Sequence, residues 1–158
     1  MAPKEAVPYH KVLPLANPAA GANFVITGPG QGGWRLISVR FTLATDANVA
    51  GREPALIFDD GTTAAFQTVV RGGQAATTTQ DYGTVPAAFD GGGADPFRGL
   101  PWPEKGVWLE PGWRVRSAIL NIQAGDQISN IGFVVEEFPN GPRGMWFPTV
   151  ARAEYDRS

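Results

Sequence analysis

Trp34–Asp46 reads WRLISVRFTLATD, and its alternation decides the fold class. From Leu36 to Leu43, the residues Ile37, Val39, Phe41 and Leu43 fall on one face of an extended chain. Leu36, Ser38, Arg40 and Thr42 fall on the other. Successive strand side chains point to opposite faces, so a period of two marks a half-buried strand. Wound as a helix, the same residues would scatter Ile37, Arg40 and Phe41 around the cylinder and carry charge into a core. Asn130–Phe138 (NIGFVVEEF) repeats the pattern, with Ile131, Phe133 and Val135 on one face. Two strong strands far apart in sequence predict a sheet closed by long-range pairing.

Outward from that stretch, strand signals recur between turn signals. Ala22–Thr27 (ANFVIT) reads as a short strand before the Gly28–Gly33 loop. Glu53–Phe58 (EPALIF) ends at Asp59-Asp60-Gly61, a turn leading into Thr63–Arg71. Ala75–Val85 is rich in Thr and resumes β character after Gly72-Gly73. Val107–Leu109 precedes a Pro111-Gly112 turn that fits type II, and Trp113–Gln123 is a further strand. Eight or nine strands and no convincing helix predict an all-β, single-domain antiparallel β-sandwich. Connections of very unequal length favour jelly-roll or Greek-key winding over an up-and-down barrel.

Three segments fall outside this series. Residues 1–22 carry Pro3, Pro8, Pro14 and Pro18, and proline fixes φ and removes a donor, so an extended arm is expected there. Its Tyr9, Val12, Leu13 and Leu15 are too apolar for a freely solvated tail. Residues 23–138 form the sandwich, interrupted by a long loop at 86–105 whose Phe89, Phe97, Leu100 and Trp102 argue against disorder. Residues 139–158 form a turn-rich tail containing Met145, Trp146 and Phe147.

Composition narrows the chemistry. A chain of 158 residues is long enough for one buried core. Its 13 basic against 15 acidic residues argue against nucleic acid, which requires a clustered basic surface. No apolar run approaches a membrane span or a signal peptide, so a soluble, unprocessed product is expected. With no cysteine and a single histidine, His10 in the arm, neither a zinc site nor a nucleophile–histidine triad is expected. Asp59, Asp60, Glu136 and Glu137 are candidates for the paired acids of a glycosidase. The first two are explained by their turn. Asp90–Asp95 (DGGGAD) lacks the acid spacing of a calcium loop. The expectation is a protein that is not an enzyme, with no cofactor and no metal. Five tryptophans remain, and Trp102 and Trp146 are the ones expected outside the core, at a protein interface or a sugar-binding face.

RLISVRFTLATDANVAGREPALIFDDG (residues 35–61) and LEPGWRVRSAILNIQAGDQISNIGFVVEEF (residues 109–138) resemble a type of small virion protein of tailed bacteriophages. The shared features are a Thr-Asp turn, an Asn/Arg-containing turn, a Pro-Gly-Trp turn and an Ala-Gly-Asp-Gln strand start before Val-Val-Glu-Glu. The resemblance covers residues 33–71 and 106–138. It implies a β-sandwich capsid-associated protein, either a decoration (cement) protein that binds the major capsid protein on the outer shell and bridges subunits or another head component. It also implies a homo-oligomer, such as a trimer, made in the host cytoplasm and located on the virion. On that reading Tyr9, Val12, Leu13, Leu15, Trp102, Met145, Trp146 and Phe147 are the expected interface residues. The competing reading is a receptor- or carbohydrate-binding module of a head or tail fibre.

Overall fold

The computed structural model describes residues 10–70, 72–86 and 97–138, which form ten strands and no helix. In chain order they are β1 (His10–Pro14), β2 (Val25–Thr27), β3 (Gly33–Ala44), β4 (Glu53–Asp59) and β5 (Ala64–Val69). Then follow β6 (Thr79–Pro86), β7 (Phe97–Trp102), β8 (Val107–Leu109), β9 (Arg114–Leu120) and β10 (Gln127–Phe138). Sheet A has the order β1-β10-β3-β6-β7, with β8 pairing the first residues of β3. Sheet B has the order β2-β9-β4-β5.

The pairings nest. β4 pairs β5, β3 pairs β6, β2 pairs β9 and β1 pairs β10, all antiparallel. The innermost pair turns at Asp59-Asp60-Gly61, where Asp59 accepts from the Gly61 amide and Asp60 from the Thr62 and Thr63 amides. Folded over, this long hairpin gains two further pairings, β3 with β10 and β4 with β9, and becomes two sheets. Only β6 and β7 run parallel.

The sheets pack face to face. Phe24 meets Phe41 edge-on at 5.4 Å between ring centroids, and Phe66 of sheet B meets Trp102 of sheet A at 5.7 Å. Between them lie Ile26, Leu56, Val115 and Ile119 from one side and Val39, Leu43, Tyr82, Leu100, Leu109, Ile128 and Val135 from the other. The all-β, two-sheet expectation is therefore met, as is the Pro111-Gly112 turn: Gly112 has φ +88° and the Trp113 amide bonds to the Glu110 carbonyl at 3.0 Å.

Four local expectations are corrected. In β3 the buried residue is Leu36, not Ile37. Val134 pairs Ser38 but Val135 pairs Leu36, so Ile37 is an extra residue whose bulge turns Leu36 inward beside Val135. Residues 97–102, assigned to a loop, form β7 against β6. Part of the expected N-terminal arm is a strand of the domain: His10–Pro14 pairs β10 from Glu136 to Gly132, leaving Pro14 on the sheet's outer edge. Strand β6 also begins at Thr79 rather than Ala75. The preceding residues are drawn into a turn by Thr45, whose hydroxyl donates to the Ala75 carbonyl at 2.7 Å.

Candidate functional site

The densest polar constellation joins the turns at one end of the sandwich. The Arg52 and Asp126 side chains are both fully buried. Arg52 Nε donates to Asp126 Oδ2 and Nη2 to Oδ1, each at 2.9 Å. The other donors of the fork reach the Asn48 and Ala50 carbonyls at 2.6 and 2.7 Å and Asp46 at 2.5 Å. Asp126 also accepts from the Asp46 and Gln123 amides at 2.8 Å each. Burial alone would push the Asp126 carboxyl up, but these hydrogen bonds and the guanidinium hold it below the usual carboxylate range.

A neutral annex extends the network: Gln74 donates to the Leu43 and Thr78 carbonyls and accepts from the buried Tyr82 hydroxyl at 2.9 Å. Arg52 and Asp126 spend their donors and acceptors on the protein, with none left for a substrate. The Thr-Asp, Asn/Arg and Ala-Gly-Asp-Gln motifs singled out in the sequence converge on this one clasp. Their chemistry holds the fold.

The four candidate acids are likewise committed. Asp59, nearly buried, takes the guanidinium groups of Arg114 and Arg116, the latter at 2.8 Å. Burial raises the Asp59 carboxyl, but the two arginines and the Gly61 amide outweigh it and leave it lowered; Asp60 is lowered by the Thr63 and Thr62 amides. A general acid needs the opposite shift. Glu136 holds Arg35 and lies 3.2 Å from His10 Nε2, and Glu137 pairs Lys11. Among the described residues no group of three or more His, Asp or Glu is arranged to hold a metal ion.

Of the expected interface residues, Val12 is open to solvent at 70% exposure. Leu13 and Leu15 instead pack against the core. Trp102, expected outside the core, is only 4% exposed. In β7 it alternates with Pro101 and points inward with Leu100, donating from its indole to the Leu36 carbonyl at 3.4 Å. Tyr9, Met145, Trp146 and Phe147 lie outside the described residues, as does the Asp90–Asp95 loop. Trp34, Trp108 and Trp113 are half-buried, the last stacked on Phe58 at 4.8 Å. Trp108 and Trp113 line one open surface pocket together with Phe58 and Phe66.

Two outer sheet faces remain. That of sheet B carries Val25, Ala55, Ile57, Val69, Ala118 and Leu120 together with Glu53, Gln67 and Arg116: the cross-strand row Val69–Ala55–Ala118 lies beside the row Gln67–Ile57–Arg116–Val25, and Glu53 pairs Leu120. Leu120 is 58% exposed and Val25 and Val69 at least 40%. Asp59 and Arg114 close this face at one end, and Arg116 sits within it between Val25 and Ile57. That of sheet A is a groove of about 580 Å³ lined by both polar and apolar groups, among them Val12, Arg40, Thr42, Asp81, Phe97 and Asn130. Sequence reading missed both faces, because strand alternation marks an outward position without saying whether anything covers it. No protein-family model, curated protein or solved structure matches this chain.

Proposed function

We propose that this chain is a structural virion protein: a bacteriophage capsid decoration protein that binds the outer capsid surface and stabilises the shell by bridging subunits. The observation that carries the reading is the outer face of sheet B. Scattered apolar residues are normal on a protein surface, but several exposed apolar side chains gathered with charged ones on one sheet face support a protein–protein contact. Here the exposed Val25, Val69 and Leu120 share one sheet face with Ala118 and the buried Ala55. Glu53, Gln67 and Arg116 stand among them, and Arg114 and Arg116 are both fixed on Asp59.

Two further points support the assignment. One is the resemblance of residues 33–71 and 106–138 to small phage virion proteins. The other is the nested pairing β1·β10, β2·β9, β3·β6 and β4·β5, which we read as jelly-roll winding, with β7 and β8 inserted before β9. That winding recurs in viral capsid domains and in lectins, so it is compatible with the role and does not select it. The partner proposed is the major capsid protein, and the assembled form a homo-oligomer on the virion surface. Tyr9, Met145, Trp146 and Phe147 remain proposed contacts to neighbouring subunits.

The test is reattachment of purified protein to shells that lack it, measured by co-sedimentation. Leu120→Asp together with Val69→Asp is expected to abolish co-sedimentation while leaving the fold intact, because both side chains point to solvent. Full binding by the double variant would remove the face from the account. A truncation of the arm is informative only for residues 1–9, since removing His10–Pro14 strips a strand from sheet A.

A further inference from the structure

On the opposite face, that of sheet A, an unusual cross-strand row runs under the groove and beyond it, with Pro14, Gly132 and Arg40 lining the groove itself. Pro14 pairs Gly132, Gly132 pairs Arg40, Arg40 pairs Gly83, and Gly83 pairs Gly99. Three of these five positions have no side chain. Glycine inside a strand weakens it and frequently marks a place where something approaches the backbone closely. Here the gaps let neighbouring side chains lie flat. A Cβ on Gly132 would stand 3.2 Å from Arg40 Nε, and one on Gly83 would stand 2.7 Å from the edge of the Phe97 ring. Arg40 therefore rests along Gly132, and the Phe97 ring rests over Gly83.

Beside this row runs a line of polar groups ordered by their own hydrogen bonds. Asn130 Nδ2 donates to Thr42 Oγ1 at 3.3 Å, and Thr42 Oγ1 donates to Asp81 Oδ1 at 2.6 Å. Asn130 has φ +52° and is the extra residue of a bulge, since Ser129 pairs Thr42 while Gly132 pairs Arg40. Bulges re-aim side chains, and this one brings the carboxamide to the groove. Val12 and Phe97, exposed at 70% and 38%, supply apolar surface.

We infer that this groove is a binding site for a neutral glycan. The chemistry selects that class. Sugar hydroxyls both donate and accept, and the groove offers guanidinium donors at Arg40, carboxylate acceptors at Asp81, and a carboxamide and a hydroxyl that do both. The single cation and single anion cancel, which disfavours a polyanion and a polycation alike. The flat guanidinium and ring suit the C–H face of a sugar, and polar groups already held in a ladder lose little freedom on binding. Nucleic acid is disfavoured further by the chain's net charge of −2. The inference rests on sheet A alone, so it stands or falls independently of the shell-binding face on sheet B.

The test is an amide NMR titration of the full ¹⁵N-labelled chain with malto-, cello-, manno- and galacto-oligosaccharides, with an oligogalacturonate as the acidic probe. At least one neutral oligosaccharide is expected to bind in the millimolar range, shifting the amides of Thr42, Asp81, Gly83 and Gly132 and sparing sheet B. Arg40→Ala and Asp81→Ala are each expected to weaken that binding by about tenfold, with the rest of the spectrum unchanged. Gly132→Val, which fills part of the groove, is expected to do the same. The inference is overturned if no neutral probe shifts these amides at about 20 mM, if only the oligogalacturonate does, or if the shifts survive Arg40→Ala and Asp81→Ala.

Discussion

Arg52 and Asp126 lie 74 residues apart in sequence, are both fully buried, and meet through two parallel hydrogen bonds of 2.9 Å. The pair ties the β3–β4 turn to the β9–β10 turn, and so ties an end of sheet A to an end of sheet B. A buried ion pair contributes little net stability over an apolar pair of the same shape, but removing one partner strands a charge. Asp126→Ala is expected to lower Tm by on the order of 10 °C, because Arg52 would keep its charge with only Asp46 and two carbonyls to hold it. Arg52→Met combined with Asp126→Leu is expected to recover most of the loss. Thermal melts of the single and double variants check this, and a fall of only a degree or two for Asp126→Ala would show that the clasp is dispensable.

Acid acts on the same network. The Asp126 and Asp59 carboxyls are both held below their ordinary values in the folded chain. A depressed folded pKa contributes stability that is fully present above the unfolded pKa, about 3.9, and is lost as pH falls through the folded value. The stability gap between wild type and Asp126→Asn is expected to be constant from pH 7 to about pH 5 and to narrow below about pH 4. Urea unfolding at a series of pH values measures it. A gap that widens in acid would contradict the assignment.

Alkali acts on the Gln74 annex. Burial pushes the Tyr82 hydroxyl up to about 12, with nearby Arg98 pulling weakly the other way. A raised folded pKa contributes stability present below the unfolded value, about 10, and lost as pH rises from there toward about 12. An ultraviolet phenolate titration is expected to show a late component near pH 12 that Tyr82→Phe removes. If that component persists in Tyr82→Phe, the late titration belongs elsewhere.

The bulge in β3 makes a sharper test of packing. Leu36 is fully buried beside Val135, whereas Ile37 is only half-buried. Leu36→Ala is expected to cost about 2–5 kcal/mol, and Ile37→Ala about 1 kcal/mol or less, by denaturant unfolding. Equal costs, or the reverse order, would mean that β3 runs without the bulge.

Much of this architecture was legible before any coordinates. Alternation in Leu36–Leu43 and Asn130–Phe138 identified the two longest strands, and the Asp59-Asp60-Gly61 and Pro111-Gly112 turns are where the residues demanded them. Alternation failed at Leu36 because one bulge residue reverses the facing of all that precedes it, and a bulge has no signature in a single strand. It failed at Trp102 because Gly99 and Pro101 read as loop residues, while their strand pairing with β6 is non-local. The Arg52–Asp126 clasp was present only as two unconnected turn motifs, since nothing in either shows that the other faces it. The glycine row beside Arg40 was invisible for the same reason, its three glycines coming from three different strands.

The central claim is the proposed place on a virion, and the most direct measurement is immunogold electron microscopy of intact phage particles prepared from the source of the chain. The account predicts label spread over the whole head, consistent with a subunit repeated across the shell. Label confined to the tail tip or to a single vertex, or none on any particle, would contradict it.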